Sequence, residues 1–336
     1  MKEDGVVRLE HGSGGALSRD LVESVIYPVL ASDAYPELSD ASPLSSGSEL
    51  LLTTDGYVVD PPFFPGGDIG TLCVFGTCND LAVCGARVLS LSLAMIVEEG
   101  FPISQLQRAL VSAADSAREA GARIVTGDTK VVPRGKGGGL FMTTAGVGAR
   151  VFPHRLSPSM VRPGDAVIVS GPLGAHGITI LAARESLPVG DTLRSDAACL
   201  YPIASALFPL GESLRFMRDA TRGGVAAVLN EAVRGATWGI EVEEDEFPVD
   251  PDVRAVCDLL GLNPLEIANE GVLVAFVAEQ AAEKALDALR SFPLGRQARL
   301  VGKVTASNPG AVIMITSIGG KRLMDFPRGL LLPRIC

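Results

Sequence analysis

LLTTDGYVVD (51–60), GGDIGTLCVFGTCNDLAVCGA (66–86) and VLSLSLAMIV (88–97) decide the fold class. The first and third are short apolar runs of strand length. The second is longer and rich in small residues, which suits a closely packed helix. Strand, helix, strand is the rhythm of an α/β unit. PISQLQRALVSAADSAREAG (102–121) adds a second helix, opened near Pro102 and closed at Gly121. Its Ile103, Leu106, Leu110, Ala113, Ala114 and Ala117 form one apolar stripe. ARIVTGD (122–128) and LFMTTAGVGA (140–149) read as strands on either side of a glycine-rich hairpin or loop, 133–139.

Upstream, HGSGG (11–15) precedes a helix of about 17–30. Downstream, HRLSPSMVRPGD (154–165), with Pro158 and Pro163, reads as a linker. The alternation then repeats: a strand at 166–171, a helix from Gly174, and a further helix at about 195–208. DATRGG (219–224) precedes a helix that runs to about Val233. GVLVAFVA (271–278) reads as a strand, followed by a helix at 280–291 and strands near 298–304 and 311–316. The expected fold is α/β (α+β), with two domains facing one cleft. The expected boundaries are 1–40 for the glycine loop and helix, 41–157 and 158–320 for the two domains, and 321–336 for a mobile, extended tail.

Six cysteines occur, and none of their spacings makes a CxxC zinc pattern. Cys73, Cys78, Cys84, Cys199 and Cys257 sit in apolar, helix-like patterns and read as buried hydrophobes. Cys336 differs, because it ends the chain on a segment containing Pro327, Gly329 and Pro333. Proline breaks regular structure, so this thiol does not read as a core residue. An extended 16-residue tail reaches roughly 50 Å, far enough to carry a thiol into a distant site.

A net charge of −10 argues against nucleic acid as a partner. No run approaches a membrane span, and MKEDGVVRLE (1–10) lacks a signal-peptide core, so a cytoplasmic location is expected. The tail from Lys321 carries four basic residues and one acid. Weak docking on the acidic body is therefore expected.

Asp40, Asp55, Asp68, Asp80, Asp128 and Asp219 each stand beside glycine or small residues at the ends of apolar segments. Carboxylates there are costly unless paired or metal-bound, and Mg²⁺ shared with phosphates is the natural ligand. Each taken singly also reads as a turn or helix cap, Asp68 in particular. HGSGG offers consecutive backbone N–H groups that suit a phosphate, although no Walker A pattern is present. Lys130 reads as a phosphate binder or a surface charge, and Glu270 as a general base or a surface charge. His11 is the only histidine inside a motif, while His154 and His176 read as loop or capping residues.

TTDG, NDLAVCGA, GDT and DATRGG together resemble the aminoimidazole ribotide synthetase-like superfamily. Within it, HGSGG, DPPFFPGGDIG (60–70), GDTKVV (127–132), RDATRGG (218–224), ANEG and the terminal PRIC resemble the HypE family of hydrogenase-maturation proteins. The resemblance implies ATP and Mg²⁺ bound between the two domains, and a homodimer formed through the N-terminal strands. It implies that His11, Gly12, Ser13, Gly14, Gly15, Thr54, Asp55, Asn79, Asp80, Gly127, Asp128 and Thr129 contact the nucleotide. It implies Asp40, Asp55, Asp80, Asp128 and Asp219 as metal ligands, and Cys336, Lys130 and Glu270 as the catalytic set. The implied partners are a HypF-like carbamoyltransferase and a HypC–HypD iron-carrying complex. The implied reaction is ATP-dependent dehydration of a carbamoyl group on Cys336 to a thiocyanate, which supplies cyanide to iron. A small-molecule kinase or synthetase of the same superfamily, or a non-catalytic carrier, are the alternatives.

Overall fold

Alternation along Leu50–Tyr57 turns Leu51, Thr53 and Tyr57 inward and Leu50, Leu52 and Thr54 outward, as a half-buried strand requires. The computed structural model describes residues 7–30, 39–44, 49–190, 192–327, 332 and 335–336. Pro333 and Arg334 of the PRIC end lie outside the described residues. The chain enters through α1 (Ala16–Leu21), a π-helical turn (Val22–Ile26) and α2 (Tyr27–Leu30). It continues through β1 (Ser42–Pro43), β2 (Leu50–Tyr57), β3 (Phe63–Phe64), β4 (Gly67–Asp68), α3 (Ile69–Val83) and β5 (Ala86–Glu98). The first unit closes with α4 (Ile103–Glu119), β6 (Ile124–Val132) and β7 (Leu140–Arg150).

The second unit begins with β8 (Ala166–Val169), α5 (Ala175–Glu185), α6 (Tyr201–Ala206), β9 (Leu214–Asp219) and α7 (Gly224–Val233). Then come β10 (Gly239–Glu243), α8 (Pro251–Leu260), β11 (Leu273–Val277), α9 (Ala282–Arg290), β12 (Arg299–Thr305), β13 (Val312–Ile315) and β14 (Lys321–Leu323). The first sheet runs β1-β2-β7-β5-β6 and the second β14-β13-β10-β12-β8-β11-β9.

α3 is the pivot between the two units. Nearly all its residues are buried, including Leu72, Val74, Phe75 and Leu81, as expected of a helix packed on every side. Asp68 caps it by accepting from Gly70 N at 2.8 Å and Thr71 N at 3.1 Å, so the cap reading holds for this aspartate. Gly70 is required where α3 meets α4, since a Cβ there would lie 1.9 Å from the Ala109 carbonyl oxygen.

Two expectations fail. No helix spans 195–208; only Tyr201–Ala206 is α-helical, with Pro202 in its first turn, and the preceding residues run irregularly. Tertiary partners take their polar groups instead: Asn79 Oδ1 accepts from Leu200 N, and Asn79 Nδ2 donates to Ala198 O. Nor is the tail free from Lys321, although it begins extended as expected. Lys321–Leu323 pairs with β13, and Leu332, Ile335 and Cys336 are buried. Cys336, read as unfit for the core, is only 9% exposed and belongs to a buried hydrophobic cluster drawn from the first unit and from α5 and α8 of the second. Burying its apolar neighbours Leu332 and Ile335 accounts for the seat.

Candidate functional site

Three carboxylates converge where the two units meet. Asp40 precedes β1, Asp80 lies on α3 and Asp219 ends β9. One oxygen of each lies within 4.8 Å of the others. Burial raises all three above the usual carboxylate range, and their mutual repulsion adds to it; Asp219 is pushed up to about 7. Thr53 Oγ1 donates to Asp80 at 2.8 Å, and Arg218 pairs with Asp40 at 2.8 Å and with Glu231 at 2.8 Å. One guanidinium does not neutralise three acids, of which Asp219 is buried and Asp40 and Asp80 are half-buried. An all-oxygen donor set under such repulsion fits a hard divalent cation such as Mg²⁺. Next to Asp40 and Arg218 opens a cavity of about 570 Å³, walled by Val83, Cys84, Phe216 and Met217 and edged by Arg19 and Arg234.

Glu270 and Cys336 form the second focus. Glu270 is 4% exposed and is raised well above the usual range by burial, then by Asp196, Asp219 and Asp55, while Arg222 opposes the shift. Burial pushes the Cys336 thiol up to about 12, with Arg222 opposing and Glu270 and Asp55 adding. Arg222 in turn is raised, first by Cys336. Asp55, Glu270, Arg222 and Cys336 therefore lie in one electrostatic neighbourhood. Val58 N donates to a main-chain carboxylate oxygen of Cys336 at 2.9 Å.

The glycine loop packs beside this focus. Arg222 Nη1 donates to Gly12 O at 3.3 Å, Ala16 N donates to Pro327 O at 3.0 Å, and Gly14 N donates to Ser18 Oγ at 2.8 Å. Gly14 has φ of +77°, and a Cβ there would meet Arg222 at 2.5 Å, so glycine is required twice over. Ser13 Oγ donates to Glu10 O at 2.9 Å, and His11 Nδ1 accepts from Arg8 N at 2.9 Å within its own turn.

Other expected residues fall elsewhere. The Asn79 side chain, expected to hold nucleotide, ties the two units together through Ala198 O, Glu270 O and Leu200 N. Thr54 is exposed and donates to Thr144 O at 3.0 Å. Gly127, Asp128, Thr129 and Lys130 lie on β6, the exposed edge of the first sheet. Asp128 pairs with Lys130 at 2.6 Å. The ladder runs Asp55–Thr144–Leu93–Gly127, so Gly127 shares the α3-facing side with Asp55 while Asp128 and Lys130 point to the opposite face. Three strand spacings, about 14 Å, also separate them from Asp55. Asp128 and Lys130 thus cannot join the three-carboxylate group of their own chain.

Three site residues carried no decisive sequence signal. Arg222 sits inside RDATRGG, and its placement between loop and tail was not foreseen. Asp196 lies in a stretch read as helix; its carboxylate accepts from Glu270 N at 3.1 Å and Gly271 N at 3.0 Å. His176, read as a loop or capping residue, is fully buried on α5 beneath the tail.

Known proteins match this arrangement. Models of the AIR synthase related protein match at residues 38–150 for its N-terminal domain and 162–315 for its C-terminal domain. The carbamoyl dehydratase HypE of Rhizobium leguminosarum bv. viciae is 45% identical over 335 residues, 99% of this chain and 96% of the relative. A crystal structure of a HypE–HypF complex is similar at a TM-score of 0.87 and 40% identity, covering 91% of this chain and 99% of that one. The structure of the hydrogenase maturation protein HypE in complex with ATP is similar at a TM-score of 0.83 and 42% identity, covering 98% of this chain and 100% of that one.

Proposed function

Because the chain belongs to the AIR synthase related family and, within it, to the HypE carbamoyl dehydratases, we propose that the Cys336 pocket is where its own tail is dehydrated. The protein is an ATP-dependent carbamoyl dehydratase acting in hydrogenase maturation. The observation that carries the site assignment is the terminal cysteine itself, buried in one neighbourhood with Glu270, Arg222 and Asp55.

The carbamoyl oxygen on Cys336 takes the γ-phosphoryl group of ATP, and ADP leaves. Phosphate then departs with that oxygen as the nitrogen loses both protons, leaving C≡N on sulfur. Glu270 is the base for one nitrogen proton and the departing phosphate takes the other; a carboxyl held high in pKa is the stronger base once ionised. Arg222 steadies the anionic oxygen before it leaves. Gly12–Gly15 cover the phosphates, and the cavity beside Asp40 takes the rest of the nucleotide. Asp40, Asp80 and Asp219 would hold Mg²⁺, with Asp55 nearby; the ion's chemistry is neutralisation of phosphate charge. Tethering supplies a high local concentration of substrate.

A thiol held neutral is a poor nucleophile. Loading by a HypF-like carbamoyltransferase is therefore assigned to the tail outside its pocket, and delivery to a HypC–HypD complex likewise. No helix among the described residues is long and apolar enough to cross a membrane.

The test is the intact mass of the C-terminal peptide after incubation with the carbamoyltransferase and carbamoyl phosphate. Wild type gains a carbamoyl group and loses the mass of one water only when Mg-ATP is added. Cys336→Ala gains nothing while still binding ATP. An adduct that never loses water favours the carrier; turnover of a free substrate by Cys336→Ala favours the small-molecule kinase.

The homodimer belongs to the same proposal. Leu50, Leu52 and Ile96 are exposed on the same face of the first sheet as Asp128 and Lys130, and β6 is an unpaired edge among the described residues. A second copy covering this surface would receive Asp128 and Lys130, which gives both residues a site that their own chain denies them. Ile96→Asp is expected to weaken dimerisation about 100-fold in sedimentation velocity. A monomeric wild type at micromolar concentration would refute the arrangement.

A further inference from the structure

We propose that His176 and Ser195 form the catch that seats the terminal cysteine, by reading the peptide carbonyl immediately ahead of it. This rests on the tail-pocket reading above.

Both ring nitrogens of His176 are engaged. Nε2 meets the Ile335 carbonyl oxygen, and Nδ1 meets Ser195 Oγ at 2.8 Å. A carbonyl oxygen only accepts, so Nε2 carries the proton. Nδ1 then accepts from the Ser195 hydroxyl, whose oxygen accepts from Ala197 N at 3.1 Å. Every donor in this chain points toward the tail. Burial lowers His176 to about 4, so the ring stays neutral; the Ile335 carbonyl selects the Nε2–H tautomer, and the Ser195 hydroxyl supports it by donating to Nδ1. The Phe64 ring meets the imidazole edge-on at 5.6 Å and fixes its plane.

The grip addresses backbone and ignores the sulfur. Val58 N holds a main-chain carboxylate oxygen of Cys336, and His176 holds the carbonyl oxygen of Ile335, at successive residues. Free, carbamoylated and dehydrated tails are therefore seated alike, and the cargo is left free to react. Ser195 is itself anchored, its N–H donating to Pro65 O at 2.9 Å. The next residue, Asp196, clamps the backbone N–H groups of Glu270 and Gly271. Neighbouring residues thus set both the tail's register and the position of the base. His176 and Ser195 are positioning residues.

The test is the rate of Cys336 alkylation by iodoacetamide in the full-length protein without nucleotide, read as mass gain of the C-terminal peptide. Cys73, Cys78 and Cys257 are internal controls. His176→Asn loses the reach to Ile335 and is expected to alkylate about tenfold faster at Cys336 alone. His176→Gln places an amide N–H near the Nε2 position and is expected to restore protection. Ser195→Ala frees the other tautomer and is expected to fall between the two. Equal rates for wild type and His176→Asn overturn the proposal, as does a His176→Gln variant no better protected than His176→Asn. No carbamoyl donor or ATP is involved, so failure of the dehydratase reading leaves this result unaffected.

Discussion

Glu270→Gln is expected to slow dehydration of the carbamoylated tail by about 10²–10⁴-fold, the usual weight of a positioned general base. The amide keeps the shape of the carboxyl but cannot take a proton. Its backbone stays clamped by Asp196, so the loop should not move. Stability should shift the other way. Glu270 is buried and repelled by Asp196, Asp219 and Asp55, so a neutral side chain removes that repulsion. The unfolding midpoint should be unchanged or higher while turnover collapses. The measurement is a single-turnover assay: the carbamoylated protein is isolated, mixed with Mg-ATP, and loss of water followed by peptide mass. A Gln variant within threefold of wild type would remove Glu270 from the chemistry. The proton would then need another acceptor, Lys130 of a second copy being the remaining candidate.

Periodicity and punctuation made most of the frame legible. The β2–α3–β5–α4–β6 series was readable because each segment has one consistent apolar pattern and a clear stop, such as Pro102 or Gly121. The 195–208 segment was not, because its backbone groups are satisfied by Asn79, and its Asp196 by Glu270 and Gly271, more than 70 residues away from Asp196 in sequence. Among the carboxylates, residue type and glycine context marked the set, and the fold then divided it. Asp40, Asp80 and Asp219 converge, whereas Asp128 sits on the other face of the sheet. Only strand register decides that, and a single sequence does not reveal register. Cys336 was legible as chemistry and misread as structure. Its proline- and glycine-rich approach suggested a free end, yet Leu332 and Ile335 have apolar seats waiting for them. His176 and Ser195 carry no motif at all; only the seated tail gives His176 Nε2 its acceptor.

Asp80→Asn should separate stability from activity more sharply than any other change. Asp80 lies on the rigid central helix and faces Asp219, Asp40 and Asp55, which together with burial raise it well above the usual range. Asn can still accept from the Thr53 hydroxyl, so the local packing survives. In metal-free protein the change removes one of three mutually repelling acids, and the melting temperature should rise or hold. With Mg²⁺ the order should invert. A cation that binds only the folded state stabilises it by about 2.7 kcal/mol at one hundred times its dissociation constant, and the variant should lose most of that gain. ATP-dependent water loss from the tail should fall about 10³-fold, because the variant loses one of the three carboxylates that would hold the ion neutralising phosphate charge. Thermal melts with and without Mg²⁺, followed by the same single-turnover assay, read both arms. If the variant keeps its Mg²⁺ stabilisation, the three-carboxylate group is not the metal site, and its repulsion is an unrelieved strain between the two units. If it loses that stabilisation and still dehydrates the tail, the cation serves the fold rather than the phosphate.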